Sequence, residues 1–191
     1  KGKKYFDLCQ TIPLPFGSFH MPEDAEKPHT LTYPRPGFPN VDRKTGIFMS
    51  FDVTSGRRTL TCRWRGLEAI IYLERQNPDS LVINLPFDEY EQAFYYNHKI
   101  NCMTAEGFVR TPKHEWKFDK KDSFGILDWG RGVWPFHNEW YWSNASGYLD
   151  GEMFGFNLGC GFGNTDIASE NMLFYKGKSH KLGKVTFTLG K

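Results

Sequence analysis

The chain has 191 residues, and 24 basic against 22 acidic residues leave a net charge of +2, too even for a nucleic-acid-binding footprint. With 39% hydrophobic and 24% charged residues it is globular rather than disordered, and no run of about 18 apolar residues offers a membrane-spanning helix. Phe 17, Tyr 9 and Trp 6, with Gly 19 and Pro 11, set against few helix formers, call for an all-β chain.

The first 44 residues read as a proline-rich arm or barrel-mouth segment. Pro13, Pro15, Pro22, Pro28, Pro34, Pro36 and Pro39 leave room only for short extended pieces, one of them through Tyr5–Cys9. From 45 to 191 a β-barrel-like domain is expected. Ile47, Met49, Phe51 and Val53 alternate with Phe48, Ser50 and Asp52, and after Thr54-Ser55-Gly56-Arg57 the alternation resumes at Leu60, Cys62 and Trp64. This predicts a half-buried antiparallel hairpin. Leu67–Glu74 follows as a more uniformly apolar strand, and Leu81, Ile83 and Leu85 alternate after an Asn77-Pro78-Asp79 turn. Asp88–Glu91 is expected as a short helical turn, Phe94–Ile100 and Ala105–Thr111 as two strands, and His114–Asp122 as a solvated edge. Trp134–Ser146, Met153–Leu158, Asn171–Tyr175 and Lys184–Leu189 suit strands, with turns at Asp150-Gly151 and Lys176-Gly177-Lys178. Ile167–Leu173 is the other short segment that could be helical.

Cys9, Cys62, Cys102, Cys160 and the six His are scattered without a C-x-x-C pair, so neither a metal site nor a cofactor is expected. Buried reduced thiols favour a cytoplasmic location over a disulfide framework. Lys1 in place of Met reads as a portion of a longer protein. Gly159-Cys160-Gly161-Phe162-Gly163 lacks the spacing of a nucleotide-binding loop and is better accounted for as a bulge or open loop.

The chemistry concentrates around Asp128-Trp129-Gly130-Arg131-Gly132-Val133-Trp134-Pro135. Asp128 and Arg131 pair across a Gly-rich turn in this reading, either to position a polar ligand group or as a clasp that pins the loop. Asn138, Trp140 and Trp142 fall on one strand face, as a stacking wall or as core. Asn157, between Gly155 and Gly159, faces a cavity or lies under a neighbouring strand. Glu170 is a second candidate acid: pointed inward near Asp128, it would divide acid and base roles with it; otherwise it is a cap or surface carboxylate. His98 and Lys99, in an aromatic strand, reach the same cavity or serve structure.

The run Phe124-Gly125-Ile126-Leu127-Asp128-Trp129-Gly130-Arg131-Gly132-Val133-Trp134-Pro135-Phe136, with Trp140 and Trp142 behind it, resembles the signature of an uncharacterised, mainly bacterial domain-of-unknown-function family. Gly161-x-Gly163, Ser169-Glu170-Asn171 and His180-Lys181-Leu182 look similar to its later motifs. The match is dense over Asp122–Phe187, faint over Thr45–Arg110 and absent over the arm. The resemblance implies longer relatives, with a second β-rich half as a possible partner, and a remote similarity to two-domain lipocalin-like (calycin) proteins such as carotenoid hydratases. It carries Asp128, Arg131, Trp134 and Glu170 over as motif positions, without an activity.

The expected fold is therefore an antiparallel β-barrel or a strongly bent sandwich, with at most one short helix. The expected function is binding of a small apolar, lipid- or isoprenoid-like molecule. Trp129, Trp134, Trp140 and Trp142 with Asn138, Asn157 and His98 would line the site, and Asp128, Arg131 and Glu170 would be available for hydratase- or isomerase-type proton transfer. Two other readings stay open: a carbohydrate-binding or glycoside-cleaving sandwich using Asp128 with Glu170 or Glu139, and a structural half with a filled interior. A deep cavity, an exposed Trp-lined groove and no cavity, respectively, distinguish the three.

Overall fold

A computed structural model describes residues 27–33 and 46–188. The strand expected through Tyr5–Cys9 and most of the proline-rich arm lie outside those residues. Every described ladder is antiparallel, and the described residues contain no helix.

The larger sheet begins as a meander: β1 (His29–Tyr33), β2 (Phe48–Thr54), β3 (Arg57–Trp64) and β4 (Leu67–Arg75). Then come β5 (Leu81–Phe87), β6 (Tyr90–Arg110), β7 (Glu115–Phe118) and β8 (Phe124–Val133). The smaller sheet is a second meander, β9 (Tyr141–Leu149), β10 (Glu152–Cys160), β11 (Met172–Tyr175) and β12 (Lys178–Lys181). Three of the turns hold two successive residues at positive φ: Arg65-Gly66, Asp150-Gly151 and Lys176-Gly177. This twist matches that of the flanking strands and makes tight two-residue hairpins.

The spine of the molecule is β6. Phe94–Ile100 and Ala105–Thr111, expected as two strands, belong to one strand of 21 residues. Its first half pairs with β5 and β8, its second half with β4 and β7. The register with β8 shifts between Ile100 and Met103, and Cys102 takes φ 59°. Such a bulge changes which residue parity faces which side, so Ile100 and Met103 share a cluster with Leu73 and Ala105. On β5, Leu81, Ile83 and Leu85 pack with Tyr95, Ala168 and Met172. The bulge also joins the layers. The Asn101 amide donates to the Phe156 carbonyl at 3.1 Å, and the Cys102 N–H donates to Ser146 Oγ at 3.1 Å.

The arrangement is sandwich-like. The larger sheet runs open from β1 to β5 without a closing ladder among the described residues, so the barrel alternative is not what they form. The buried face of β5, β6 and β8 is covered by a separate meander instead of by the sheet curling onto itself. Other expectations are corrected locally. Asp88 and Glu89 form a turn that leads straight into strand, and Trp134–Trp140, where Pro135 removes a ladder donor, is irregular until β9 begins at Tyr141. Ile167–Leu173 forms no helix, and residues 182–188 form no strand. Phe51, expected in the core, is 45% exposed because β2 lies toward the uncovered end of the sheet. Cys62, Cys102 and Cys160 are free thiols; burial pushes the Cys102 thiol up, against a smaller opposite effect of Ser146.

Two measurements test this framework. Gly107 has φ +134°, and a Cβ there would lie 2.0 Å from the Ile70 carbonyl oxygen. Gly107→Ala is expected to cost about 2–4 kcal/mol in chemical denaturation. Gly147→Ala, with nothing within 4 Å of the new Cβ, should change stability by no more than about 0.5 kcal/mol. The second concerns Asp79, which accepts from Ser179 Oγ at 2.8 Å and Ser179 N at 3.0 Å, bonds that hold its carboxyl below the usual range. Its contribution to stability is therefore full above the unfolded value of about 3.9 and is lost as pH falls through the lower folded value. Asp79→Asn should flatten that part of the acid-unfolding curve.

Candidate functional site

The inner face of β6 presents Tyr95, Asn97 and Lys99, opposite Leu85, Ile83 and Leu81 of β5 on one side and Gly132, Gly130 and Asp128 of β8 on the other. Three polar or amphipathic side chains thus enter a face that the next strand fills with aliphatic ones. Lys99 is almost wholly buried, and its Nζ lies 3.0 Å from Asp128 Oδ2 and 2.7 Å from Glu170 Oε2. It also lies 5.0 Å from the Trp142 ring centroid, within cation–π range. The Asn97 amide donates to Asp128 Oδ1 at 2.6 Å. Gly130 leaves room for that amide, since a Cβ there would lie 2.8 Å from Asn97 Nδ2.

Glu170 reaches this point from the segment before β11. Gly159 makes space for it: a Cβ at that position would stand 2.1 Å from Glu170 Oε1. The backbone around it is held on several sides. Asn157 Nδ2 donates to the Glu170 carbonyl at 2.7 Å, and Lys181 Nζ donates to Ser169 Oγ at 2.7 Å and to the Asn171 carbonyl at 3.0 Å. Gly159 N–H donates to Asn171 Oδ1 at 2.7 Å.

Above the ions stands an aromatic wall. Phe162, between Gly161 and Gly163 at positive φ, is its hub, meeting Tyr95, Trp140, Phe87 and Trp134 edge to face with centroids 4.7, 5.1, 5.3 and 5.7 Å away. The glycine-rich loop therefore serves to place one ring. Together these elements bound a cleft of about 670 Å³. Among the described residues it is open at a rim where Trp140 is 54% exposed and Phe136 95%.

Six of the candidates named from the sequence line this cleft: Asp128, Glu170, Trp134, Asn138, Trp140 and Trp142. The other four do not. Arg131 makes no pair with Asp128, because residues three apart on a strand point to opposite faces; its guanidinium lies 5.3 Å from the Tyr96 ring centroid. Trp129, on the same outer face, packs edge-on against Tyr96 at 6.0 Å. His98 also faces away from the cleft, toward Ser80 Oγ at 2.9 Å. Asn157 is fully buried behind the wall, where its Oδ1 accepts from Trp142 Nε1 at 2.9 Å and Asn144 Nδ2 at 3.3 Å.

Lys99, weighed with His98 as reaching the cavity or serving structure, does line it, whereas Asn97, Tyr95 and Phe162 were not among the candidate ligand-binding residues. The signal for the first three is their shared parity with each other, and it becomes decisive only once β6 is paired with the Leu81, Ile83 and Leu85 face. No three His, Cys, Asp or Glu side chains among the described residues converge as a metal would need.

Among the described residues, the charged side chains lining the cleft are one cation and two carboxylates, a formal excess of one negative charge. Burial above all, and then the charges of Asp128 and Glu170, push the Tyr95 phenol up; a hydrogen bond with Asn97 acts more weakly in the other direction. Tyr95 is therefore a neutral hydroxyl at ordinary pH. Of the two carboxylates, Asp128 is 40% exposed and Glu170 only 14%, so Asp128 is the one open to an incoming molecule. Lys99→Met leaves both acids without their cation and should cost about 3–5 kcal/mol in urea denaturation. Adding Glu170→Gln should recover part of that loss, while Asp128→Asn alone should cost less than Glu170→Gln alone.

No curated protein and no solved structure matches the chain. A family model described as "Domain of unknown function (DUF2804)" does, over residues 1–191, including the proline-rich stretch that carries none of the recognisable motifs. The chain therefore belongs to the DUF2804 family.

Proposed function

We propose that the domain binds a small, largely apolar molecule, lipid- or isoprenoid-like in its body, along the aromatic wall, with its polar end toward Asp128, Lys99 and Glu170. The observation that carries this reading is the combination of a roughly 670 Å³ cleft with a buried ion triad at one end. Binding sites of this size are typically apolar, with a few convergent polar groups that fix orientation. A cleft of that volume also counts against an interior filled by its own side chains, while its open rim, with Trp134, Trp140 and Trp142 each more than 40% exposed, keeps carbohydrate binding as the second reading.

The constellation suits proton transfer of the hydratase or isomerase kind. Asp128 is the acid open to the cleft, and Lys99 and Glu170 would balance the change of charge when it gives or takes a proton. Glycoside cleavage fits less well. There the scissile bond must lie between the two carboxyl groups, and between Asp128 and Glu170 stands the Lys99 ammonium.

Native mass spectrometry of the purified protein, with denaturing extraction of whatever is bound, tests the proposal. A co-purified apolar molecule, or saturable binding of decan-1-ol followed by tryptophan fluorescence, is the expected result. Trp140→Ala should then weaken binding by about 10- to 100-fold with little change in stability. Binding of a simple glucoside without affinity for decanol would overturn the reading in favour of a sugar site. Binding of neither would overturn it in favour of a structural domain.

A further inference from the structure

The polar inventory of the cleft is lopsided. Asn97 is only 2% exposed and belongs to the cleft wall; its Oδ1, itself closed off from solvent, has no hydrogen-bond donor among the described residues. An acceptor left unpaired in such a place is costly unless something that enters the site donates to it. Asp128 has spare capacity as well. A carboxylate has about four acceptor positions, and this one receives Asn97 and Lys99 while remaining 40% exposed.

The donors nearest the ions, by contrast, are engaged, as are some of those along the wall. Trp142 Nε1 is given to Asn157 and Asn138 Nδ2 to the Pro135 carbonyl. The Lys99 ammonium already faces two carboxylates and an aromatic ring. The Tyr95 hydroxyl, beside Asn97, remains neutral and brings no positive charge to an incoming anion. A ligand carboxylate or phosphate would have to compete with Asp128 and Glu170 for their one cation, at short range from both, and would leave the Asn97 carbonyl unsatisfied.

We infer that the polar end of the ligand is a hydrogen-bond donor without negative charge, a hydroxyl or an ammonium group, and that the site rejects acids of the same body. This rests on the reading that the cleft binds a small molecule, and it narrows the class to alcohols and amines.

Four probes with one ten-carbon body test it by calorimetric titration of the full chain: decan-1-ol, decylammonium, decanoate and 1-methoxydecane. The alcohol or the ammonium should bind at least about tenfold more tightly than both decanoate and the ether. A lead for the ammonium would assign recognition mainly to the excess negative charge; a lead for the alcohol would assign it mainly to the Asn97 carbonyl. Asn97→Ala should reduce the alcohol-to-ether ratio to below about threefold. Should that variant not fold, Asp128→Asn serves in its place: with one negative charge fewer, it should strengthen decanoate and weaken decylammonium. Decanoate binding as tightly as or more tightly than the alcohol and the ammonium, or equal affinities for all four probes, would overturn the inference and leave the binding proposal standing. Failure of all four to bind would overturn the binding proposal itself, and the inference with it.

Discussion

The geometry of the cleft turns on one buried ammonium group. A cation removed from water is expensive unless charge and hydrogen bonds meet it, and the carboxylates that meet Lys99 come from different layers. Asp128 stands on β8 of the large sheet, whereas Glu170 enters from the segment leading into β11 of the small one. The ion triad is thus also a joint. The apparatus around Glu170 follows from it: the space left by Gly159, the Asn157 amide on its carbonyl and the Lys181 ammonium on its neighbours all hold one carboxylate at one point.

A sheet built for stability alone would be filled differently. On β5, Leu81, Ile83 and Leu85 show what this face carries where it serves as core. One strand over, the same face holds Tyr95, Asn97 and Lys99. Replacing a buried ionic cluster by apolar residues of similar volume is often neutral or stabilising, and it is this cluster beside an open aromatic cleft on which the binding proposal rests. The wall has a complementary logic. Phe162, projected by the loop between β10 and β11, organises four rings that come from three parts of the chain.

What could be read in the sequence was local. The hairpins at Asp150-Gly151 and Lys176-Gly177 declare themselves because a two-residue turn with positive φ favours Gly at its second place, and Asp at its first in the former. The Trp134–Trp142 segment stood out by composition, and much of it does face the cleft, although from an irregular stretch rather than a strand. Two kinds of information were missing. The bulge at Asn101–Cys102 breaks the period of two, so β6 reads as two strands. Cross-strand register was missing as well, and without it Lys99 cannot be seen to sit opposite Asp128. The glycines of the Asp128–Val133 run suggested a turn in which Asp128 and Arg131 meet. In fact they lie within a strand, where Gly130 and Gly132 admit the Asn97 amide and the Phe94 carbonyl, and the two charges diverge.

The connectivity of the sheets bears on how such a chain finds its structure. Every ladder among the described residues joins strands that are adjacent, or next but one, in their order. For an all-β protein this keeps the loop-closure entropy of strand pairing low, because each meander can zip from its own tight turns. Contacts distant in sequence join the two sheets at several places, among them the Asp79–Ser179 and Asp88–Asn164 bonds, the β6 bulge and the ammonium of Lys99. A search that is otherwise local therefore ends in the docking of the two sheets, and the desolvation of the Lys99 ammonium belongs to that late step.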